Sequence, residues 1–519
     1  MALPRWLPLG LLLLISACTP PVSEAAAPTA AAARPEDVIA YGFDAIKDRY
    51  LTDISVGDLA LESLRGLSGL DPELTIDHSS SRRVVLRYRD DSIAEHPLPS
   101  PDDAQGWARL IVLFAHSAAQ SSDAVRKTDT EHLYETVFDA ALAKLDIFSH
   151  YAGNSEADNR RAQRNGFGGV GLRYRPLATG LTITEVIPET PADKAGLKAG
   201  DHIALIDGHP VGGLSHDDIS RLLRGPIDSP VSLQIRKHDG QKASSLVLHR
   251  ALIVPPTVSM TITDAVATVQ ISGFNQSTAH LVAENMARAR KNAKPLRGVI
   301  LDLRGNPGGL LDQGVEVAAQ FMGPGRIVST LGRHPASHQT FDNAGRGPNA
   351  DLPLAILIDG QSASAAEIVT SALQDSGRAV VVGTNSFGKG TVQTVVHLPN
   401  DGEMTLTWAR YFSPSGYALH GLGVLPAVCT AESAKPPQEL LKTALEQTPA
   451  TSAAQRQWRQ AADTDIEERK RLRGLCPAAP HDDATPDEDI ARLIVRDKHL
   501  YAHLLTQVAD PSHGETAAR

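Results

Sequence analysis

The sequence predicts a multidomain protein of the α+β class, with helical regions at both ends, a small β domain and a larger α/β core. At 519 residues the chain exceeds the roughly 100–200 residues of a typical single domain. The spacing of apolar residues also changes along the chain. It is helical over 36–151, alternates like short strands over 165–251, and becomes strands alternating with helices over 256–428. Residues 430–519 form a mainly helical C-terminal extension and indicate no function of their own.

The first residues resemble an export signal, which we assign to residues 1–17. The apolar stretch from Trp6 to Ile15 is too short to cross a bilayer but suits the apolar part of a signal peptide. The run Ile15-Ser16-Ala17-Cys18 is similar to a bacterial lipobox, whose cysteine is lipidated after cleavage. We therefore expect an exported chain on the periplasmic side of a bacterial membrane, anchored by lipid on Cys18. The alternative is an ordinary signal peptide, with Cys18 incidental.

Two further features follow from export. Residues 18–35 are rich in Pro and Ala and are expected to form a flexible tether. Beyond Cys18 the chain contains only Cys429 and Cys476. In an oxidising compartment these two can form a disulfide, which we expect here. Two unpaired buried thiols are the alternative.

The N-terminal region, 36–151, contains two similar stretches, 58–71 and 133–146. Each has the amphipathic pattern of a helix and ends in Leu-Asp. Between them, residues 83–89 alternate like a strand, and residues 97–103 are expected to form a loop.

The next two regions differ in their strand patterns. Gly, Pro and Asp turns divide the β domain, 165–251, into predicted strands at 169–174, 181–186, 202–206, 231–236 and 244–248. One helix fits 215–223, with Ser215 as its N-cap. In the core, continuous apolar runs predict buried strands at 298–303, 354–359 and 379–383. Helices fit 279–291, 311–322 and 365–375.

Several classes of function lack their signatures. The formal charge of −10 and the lack of a long Lys/Arg run argue against a nucleic-acid partner. The sequence has no zinc-binding spacing, no Walker loop and no Gly-x-Ser-x-Gly elbow. We therefore expect no metal and no organic cofactor.

A candidate nucleophile lies where a buried strand gives way to a helix. The strand ends at Asp359, and Ser364 stands at the predicted helix start, where free N–H groups and the helix dipole favour negative charge. A simpler interpretation is available, because Ser364 and Glu367 have the spacing of a capping box.

Lys389 supplies a candidate base. It lies between two glycines after the next apolar strand, and the crossover connection can return it to the neighbourhood of Ser364. A desolvated lysine loses its proton more easily and can then activate a serine hydroxyl. The alternative is a surface lysine in a glycine turn. The glycine-rich loop 302–309 also follows a buried strand, and its N–H groups could bind an oxyanion.

These features resemble the C-terminal processing, or tail-specific, proteases. The resemblance runs from Asp146 to about Pro426. It is carried by Asp146-Ile-Phe-Ser-His-Tyr151, Gly168-Gly-Val-Gly-Leu172, Pro191-Ala-Asp-Lys-Ala-Gly-Leu-Lys-Ala-Gly-Asp201, Asp302-Leu-Arg-Gly-Asn-Pro-Gly-Gly309, Ser362-Ala-Ser-Ala-Ala-Glu367, Ala372-Leu-Gln-Asp-Ser-Gly-Arg-Ala379 and Phe387-Gly-Lys-Gly390.

The resemblance implies a crotonase-like α/β core and roles for individual residues. Ser364 would be the nucleophile and Lys389 its general base, at the interval found in the family. Gln393 would orient the lysine, and the N–H groups of Gly309 and Ala365 would form the oxyanion hole. Asp375 matches an acid whose loss harms family members. We expect it to be structural and to pair with Arg378.

Residues 165–251 resemble a PDZ domain, which adds a substrate peptide as an extra strand and holds its C-terminal carboxylate in a backbone nest. The carboxylate-binding loop would consist of Gly168, Gly169, Val170, Gly171 and Leu172. The implied partners are proteins or peptides bound through their C-termini, together with a membrane reached by the lipid anchor. The sequence leaves open a homo-oligomer or an adaptor.

The expected function is therefore that of an exported serine endopeptidase that cleaves proteins near their C-termini, with the PDZ domain selecting or gating substrate. Two departures from the family are Pro426-Ala427, where the family usually has Pro-Asp, and the doubled helical segment before Asp146. One alternative is a catalytically silent PDZ scaffold, a binding lipoprotein. Another is a crotonase-type acyl-CoA enzyme, against which the export signal and PDZ module argue.

Overall fold

The structure is a computed structural model that describes residues 33–78, 82–238, 243–293, 295–431, 435–480 and 486–508. The signal peptide expected at 1–17, Cys18 and most of the expected tether lie outside the described residues. Within the described ranges the chain forms a mixture of helices and β-sheets, and no helix there is long and apolar enough to cross a membrane.

The N-terminal region combines a helical bundle with a three-stranded antiparallel sheet of order β1-β2-β3. Its two similar stretches form α2 and α5, which pack against each other. The sequence predicts only the middle strand, because its neighbours are mostly half-buried or exposed. The elements are α1 (Pro35–Arg49), α2 (Val56–Gly66), β1 (Leu74–Asp77), β2 (Arg83–Tyr88), β3 (Asp91–Pro97), α3 (Ala104–Ser121), α4 (Asp123–Lys127), α5 (Thr130–Leu142), β4 (His150–Ala152) and α6 (Asn154–Asn165).

The β domain is a sheet of order β11-β10-β8-β7-β6 with one longer helix, α8, whose N-cap is Ser215. The strand predicted at 169–174 is interrupted at Gly171, where φ is +86° and an added Cβ would lie 2.3 Å from the Thr190 side chain. The elements are β5 (Phe167–Gly169), β6 (Leu172–Leu177), β7 (Gly180–Val186), α7 (Pro191–Lys194), β8 (His202–Ile206), β9 (His209–Pro210), α8 (His216–Leu223), β10 (Pro230–Arg236), β11 (Ser244–His249) and β12 (Ala251–Ile253).

The core contains two sheets. The larger has the order β13-β14-β15-β18-β19-β22 and is parallel from β14 onward, as the apolar strands and intervening helices predict. The smaller has the order β17-β16-β21-β20. The elements are β13 (Val258–Thr263), β14 (Val266–Ile271), α9 (Thr278–Asn292), β15 (Gly298–Asp302), α10 (Leu311–Ala319), β16 (Gly325–Gly332), β17 (Gln339–Asn343), β18 (Leu354–Ile358), α11 (Ala365–Asp375), β19 (Val380–Gly383), β20 (Thr391–His397), β21 (Glu403–Phe412) and β22 (Val428–Cys429).

The N-terminal region is joined to the smaller sheet of the core in two ways. Strand β4 pairs antiparallel with β21, through the register of Tyr151 with Met404. In addition, the apolar cluster of the N-terminal bundle includes the buried side chains Val396, Met404 and Leu406 of β20 and β21. The segment 146–149 just before β4 is therefore held against the core.

The C-terminal extension packs directly on the larger sheet of the core. Buried residues of α12, α15 and α16 form one apolar cluster with strand residues such as Ile300, Leu357 and Val382. Cys476, which follows α14, is joined to Cys429 of β22 by a disulfide with a Cα–Cα distance of 5.9 Å. The helices are α12 (Pro437–Glu446), α13 (Thr448–Gln460), α14 (Ile466–Arg473), α15 (Asp487–Arg496) and α16 (Lys498–Val508).

Candidate active site

Ser364 immediately precedes α11, after the turn that ends β18. Its φ and ψ are 56° and −117°, a conformation that is uncommon for a residue with a Cβ and costs on the order of 1–3 kcal/mol. Its backbone N–H donates to Glu367 Oε2 at 2.8 Å. The carboxylate that the capping-box spacing predicts is therefore in contact with Ser364, and the serine is held in a strained backbone conformation.

Glu367 organises the surroundings of Ser364. Its side chain is buried, and its carboxylate accepts four hydrogen bonds. Oε2 accepts from the N–H groups of Ser364 and Lys389, and Oε1 accepts from the Ser386 hydroxyl and the Gly388 N–H. Burial raises the pKa of Glu367, whereas these hydrogen bonds act to lower it. The sequence suggests only a helix cap at Glu367 and does not reveal its contact with the lysine segment.

Lys389 lies in an irregular segment, 384–390, between β19 and β20. Its ammonium nitrogen is 4.9 Å from the centroid of the Phe148 ring. Burial lowers the pKa of Lys389, and the carboxylates of Glu367 and Asp146 act in the opposite direction. A lysine with a lowered pKa is neutral over more of the accessible pH range, as a general base must be.

The segment before β4 approaches Lys389 from the N-terminal region. Asp146 Oδ1 accepts from the N–H groups of Phe148 and Ser149 at 2.7 and 2.8 Å, which fixes the turn that carries the Phe148 ring. The sequence marks this segment as part of the family resemblance but assigns no role to Asp146 or Phe148. The pairing of β4 with β21 is what brings them to the lysine.

The glycine-rich loop packs directly on the serine. A Cβ added at Gly308, where φ is +100°, would lie 2.7 Å from Ser364 Cβ and 3.0 Å from the backbone nitrogen of Ala365. Only glycine allows this approach. Among the described residues, no hydrogen-bond acceptor is paired with the N–H of Gly309 or of Ala365. Neither N–H group predicted for the oxyanion hole is thus engaged within the described chain, and their role stays a prediction.

Gln393 and Tyr411 lie on the hairpin of β20 and β21. The Gln393 amide donates to Thr391 Oγ1 at 3.0 Å and to Thr407 Oγ1 at 3.3 Å, and within the described chain it makes no hydrogen bond to Lys389. The role of Gln393 in orienting the lysine remains a prediction. The buried Tyr411 hydroxyl, in contrast, donates to the carbonyl oxygen of Lys389. The sequence gives no sign of this contact.

The expected pairing of Asp375 with Arg378 is wrong. Asp375 Oδ1 instead accepts from Arg459 Nε at 3.0 Å, and its Oδ2 accepts from the Ser415 hydroxyl at 2.6 Å. Arg378 donates to the carbonyl oxygens of Phe321 and Leu352. Local spacing could not have indicated the actual partner, because Arg459 is 84 residues away in the C-terminal extension.

The loop Gly168–Leu172 borders a groove between β6 and α8. Within the described ranges, the N–H groups of Val170 and Gly171 donate to no carbonyl, and binding of a carboxylate by this loop stays a prediction. The groove encloses about 430 Å³. Tyr174 of β6 and Ser220 of α8 both line this groove, and their hydroxyl groups are hydrogen-bonded at 2.7 Å.

No three His, Cys, Asp or Glu side chains in the described parts of the chain come together as they would around a metal ion. The candidate active site consists of a serine, a half-buried lysine, a buried carboxylate and free N–H groups.

Comparisons with known proteins agree on two regions of the chain. Residues 265–429 match the model of peptidase family S41, and residues 182–237 match a PDZ domain model. A carboxy-terminal-processing protease of Bartonella bacilliformis is 35% identical over 303 residues, which are 58% of this chain and 70% of that protein. A carboxyl-terminal-processing protease of Synechocystis sp. is 32% identical over 300 residues, which are 56% of this chain and 69% of that protein.

Among solved structures, the photosystem II D1 C-terminal processing protease aligns with 76% of this chain and 92% of its own, at 24% identity and a TM-score of 0.38.

Proposed function

Because the chain belongs to the carboxy-terminal-processing proteases of peptidase family S41, and is therefore a serine protease with a PDZ domain, we propose that it is an endopeptidase in which Ser364 is the nucleophile and Lys389 the general base. The observation that carries this proposal is the link through Glu367. Its Oε2 accepts from the backbone N–H groups of both residues, which supports placing the strained serine and the half-buried lysine in one site.

The proposed reaction proceeds through an acyl-enzyme. Ser364 Oγ attacks the scissile carbonyl carbon, and neutral Lys389 accepts the hydroxyl proton. The N–H groups of Gly309 and Ala365 stabilise the negative oxygen of the tetrahedral intermediate. Lys389 then gives its proton to the leaving amine as the C–N bond breaks. Water attacks the ester with Lys389 again as base, and the new carboxyl terminus is released as Ser364 is regenerated.

We further propose that the substrates are exported proteins presented through their C-termini, and that the PDZ domain selects them or gates their access. The free N–H groups of Val170 and Gly171 and the groove beside them support binding of a terminal carboxylate. The apolar N-terminal stretch and Cys18 support export and a lipid anchor at the periplasmic side of a bacterial membrane. The core is proposed to be crotonase-like. A catalytically silent PDZ scaffold is not favoured, because Ser364, Lys389 and the free N–H groups are all present.

Incubation of the purified protein with an unfolded substrate protein tests the proposal. The parent chain and the control Ser376→Ala should release peptides, whereas Ser364→Ala should release none while remaining folded. Product formation by Ser364→Ala would overturn the assignment of the nucleophile. Substrate peptides with free C-termini should be cut faster than the same peptides with amidated C-termini, and equal rates would contradict recognition of the C-terminus. Mass spectrometry of the mature N-terminus should find lipid on Cys18, and an unmodified start beyond Cys18 would contradict the anchor.

A further inference from the structure

The C-terminal extension also contacts the lysine segment, 384–390. Arg473, the last residue of α14, donates from Nη1 to the carbonyl oxygens of Leu422 and Ser386 at 2.7 and 3.2 Å. Its own carbonyl oxygen accepts from Asn385 Nδ2 at 3.0 Å. A Cβ added at Gly388 would lie 3.1 Å from Nη1, so the guanidinium lies directly against the backbone beside Lys389.

The lysine segment has no helix or strand of its own to define its position. Glu367 accepts from the Ser386 hydroxyl and from the N–H groups of Gly388 and Lys389. Arg473 donates to the carbonyl oxygen of the same Ser386. The segment is thus bound both by a carboxylate that accepts from its N–H groups and by a guanidinium that donates to one of its carbonyl oxygens.

Arg473 is itself held firmly. Leu472 is fully buried in the main core cluster, and Cys476 is bonded to Cys429 of β22. Further along, the carbonyl oxygen of Ala479 accepts from the Gly360 N–H at 2.7 Å. The end of α14 is therefore fixed on both sides of Arg473.

We propose that Arg473 is a positioning residue for the proteolytic reaction, holding the segment that carries Lys389 in its buried place. The inference rests on the proposed function, because it assumes that Lys389 is the base. Residue 473 lies beyond the 265–429 match to the peptidase family, so this assigns a role in the active site to the C-terminal extension.

The proposal predicts a change in the pH dependence of the rate. Burial is the largest cause of the lowered pKa of Lys389, so a loosened segment lets water reach the ammonium group and raises that pKa. The charged or titratable groups around Lys389 come from several elements: Glu367 of α11, Asp146 before β4, His150 of β4, Tyr411 of β21, His420 before β22 and Arg473 of α14.

The test measures kcat/KM for a peptide substrate against pH in the full-length chain. Arg473→Ala should be roughly tenfold slower at neutral pH. The part of its pH–rate profile in which the rate falls as the pH drops, the acid limb, should shift to higher pH by about one unit. Asn385→Ala removes a second bond between Arg473 and the segment without removing a charge, and its acid limb should move in the same direction. The control is Arg471→Ala, an exposed arginine on the same helix paired with Glu468, which should keep the parental profile.

Two outcomes would overturn the inference. If Arg473→Ala folds and keeps the parental limb, Arg473 does not position the lysine. If Arg473→Ala does not fold, a folded Asn385→Ala with an unmoved limb leads to the same conclusion. Lys389→Arg, measured in parallel, distinguishes failure of the positioning role of Arg473 from failure of the proposed function. An active Lys389→Arg means that the lysine is not the base, whereas an inactive Lys389→Arg with unmoved limbs in the other variants rejects only the positioning role.

Discussion

The backbone N–H groups of Ser364 and Lys389 donate to one oxygen atom, Glu367 Oε2, at 2.8 and 2.9 Å. The start of α11 and the irregular segment after β19 are thereby tied together by a single buried carboxylate. The placement of the proposed base relative to the proposed nucleophile therefore depends on backbone contacts.

Glu367→Gln should weaken catalysis. An amide presents only one acceptor oxygen, so at least one of the four buried donors around Glu367 loses its partner, at a cost of about 1–3 kcal/mol. We expect kcat/KM to fall roughly tenfold to a hundredfold. The urea concentration at the midpoint of unfolding should also be lower. The exposed Glu446 of α12 provides the control, since Glu446→Gln should change neither quantity. Parental turnover in Glu367→Gln would show that the shared oxygen is dispensable.

Activity should rise with pH through the lowered pKa of Lys389. Below that pKa the ammonium form dominates and cannot accept the Ser364 proton, so the rate falls as the pH drops. Lys389→Arg should lose about 10²–10⁴-fold in kcat, because arginine stays protonated. The exposed Lys442 gives the matched control Lys442→Arg, which should behave like the parent. Near-normal turnover in Lys389→Arg would rule out the lysine as base.

Asp146→Asn should move the acid limb of the same profile to lower pH. The Asp146 charge raises the pKa of Lys389, so removing the charge lowers that pKa further. Asparagine keeps a side-chain oxygen for the Phe148 and Ser149 N–H groups, which preserves the turn. The direction is opposite to that expected for Arg473→Ala. An upward shift of the limb in Asp146→Asn would contradict this electrostatic role.

The disulfide between Cys429 and Cys476 should contribute to stability. It closes a loop with a sequence separation of 47 residues, and the chain-entropy model gives about 4 kcal/mol for a loop of that size. Reduction should lower the free energy of unfolding by about this amount. The double variant Cys429→Ser/Cys476→Ser should be insensitive to reductant. Thiol mapping on denatured, unreduced protein checks the bond directly, and labelling of both cysteines would refute it.

A double-mutant cycle should find strong coupling between Asp375 and Arg459. Both side chains are nearly buried, and removing the arginine leaves an unpaired carboxylate, which costs about 3–5 kcal/mol. Urea unfolding of the single and double variants measures the coupling energy. The same cycle for Asp375 and Arg378 should give a value near zero, because Arg378 binds backbone carbonyl oxygens instead. Stronger coupling to Arg378 would contradict the observed pairing.

The parts of the fold that could be predicted are those defined by local pattern. The helix predicted at 365–375 has the bounds of α11, and the apolar runs at 298–303 and 354–359 form β15 and β18 with a shift of one residue at the end. The strands β1 and β3 were missed because neither has the sustained alternation of β2. Their pairing is decided by the turns and by the bundle beside them.

The candidate site likewise contains residues that the sequence could indicate and residues that it could not. The interval from Ser364 to Lys389, together with the flanking glycines, indicated both candidate residues from sequence. The groups that surround them could not be found, since Asp146, Tyr411 and Arg473 arrive from three distant elements. Their proximity depends on strand pairing and on docking of the extension, which leave no local signal in the chain. Glu367 carried a signal, but its capping-box spacing gave no information about the second segment that it binds.

The extension also affects how the chain can change in evolution. The family match stops at residue 429, whereas in the described chain the strand residues Ile300, Leu357, Val380 and Val382 of the parallel sheet pack against helices that follow residue 429. A lineage that lost those helices would expose a continuous apolar surface and face aggregation. Loss of the extension is therefore viable only together with polar replacements at these strand positions or with another covering segment. In relatives that end after the family match, the outer face of this sheet should have a different composition, even where the serine and lysine motifs are the same.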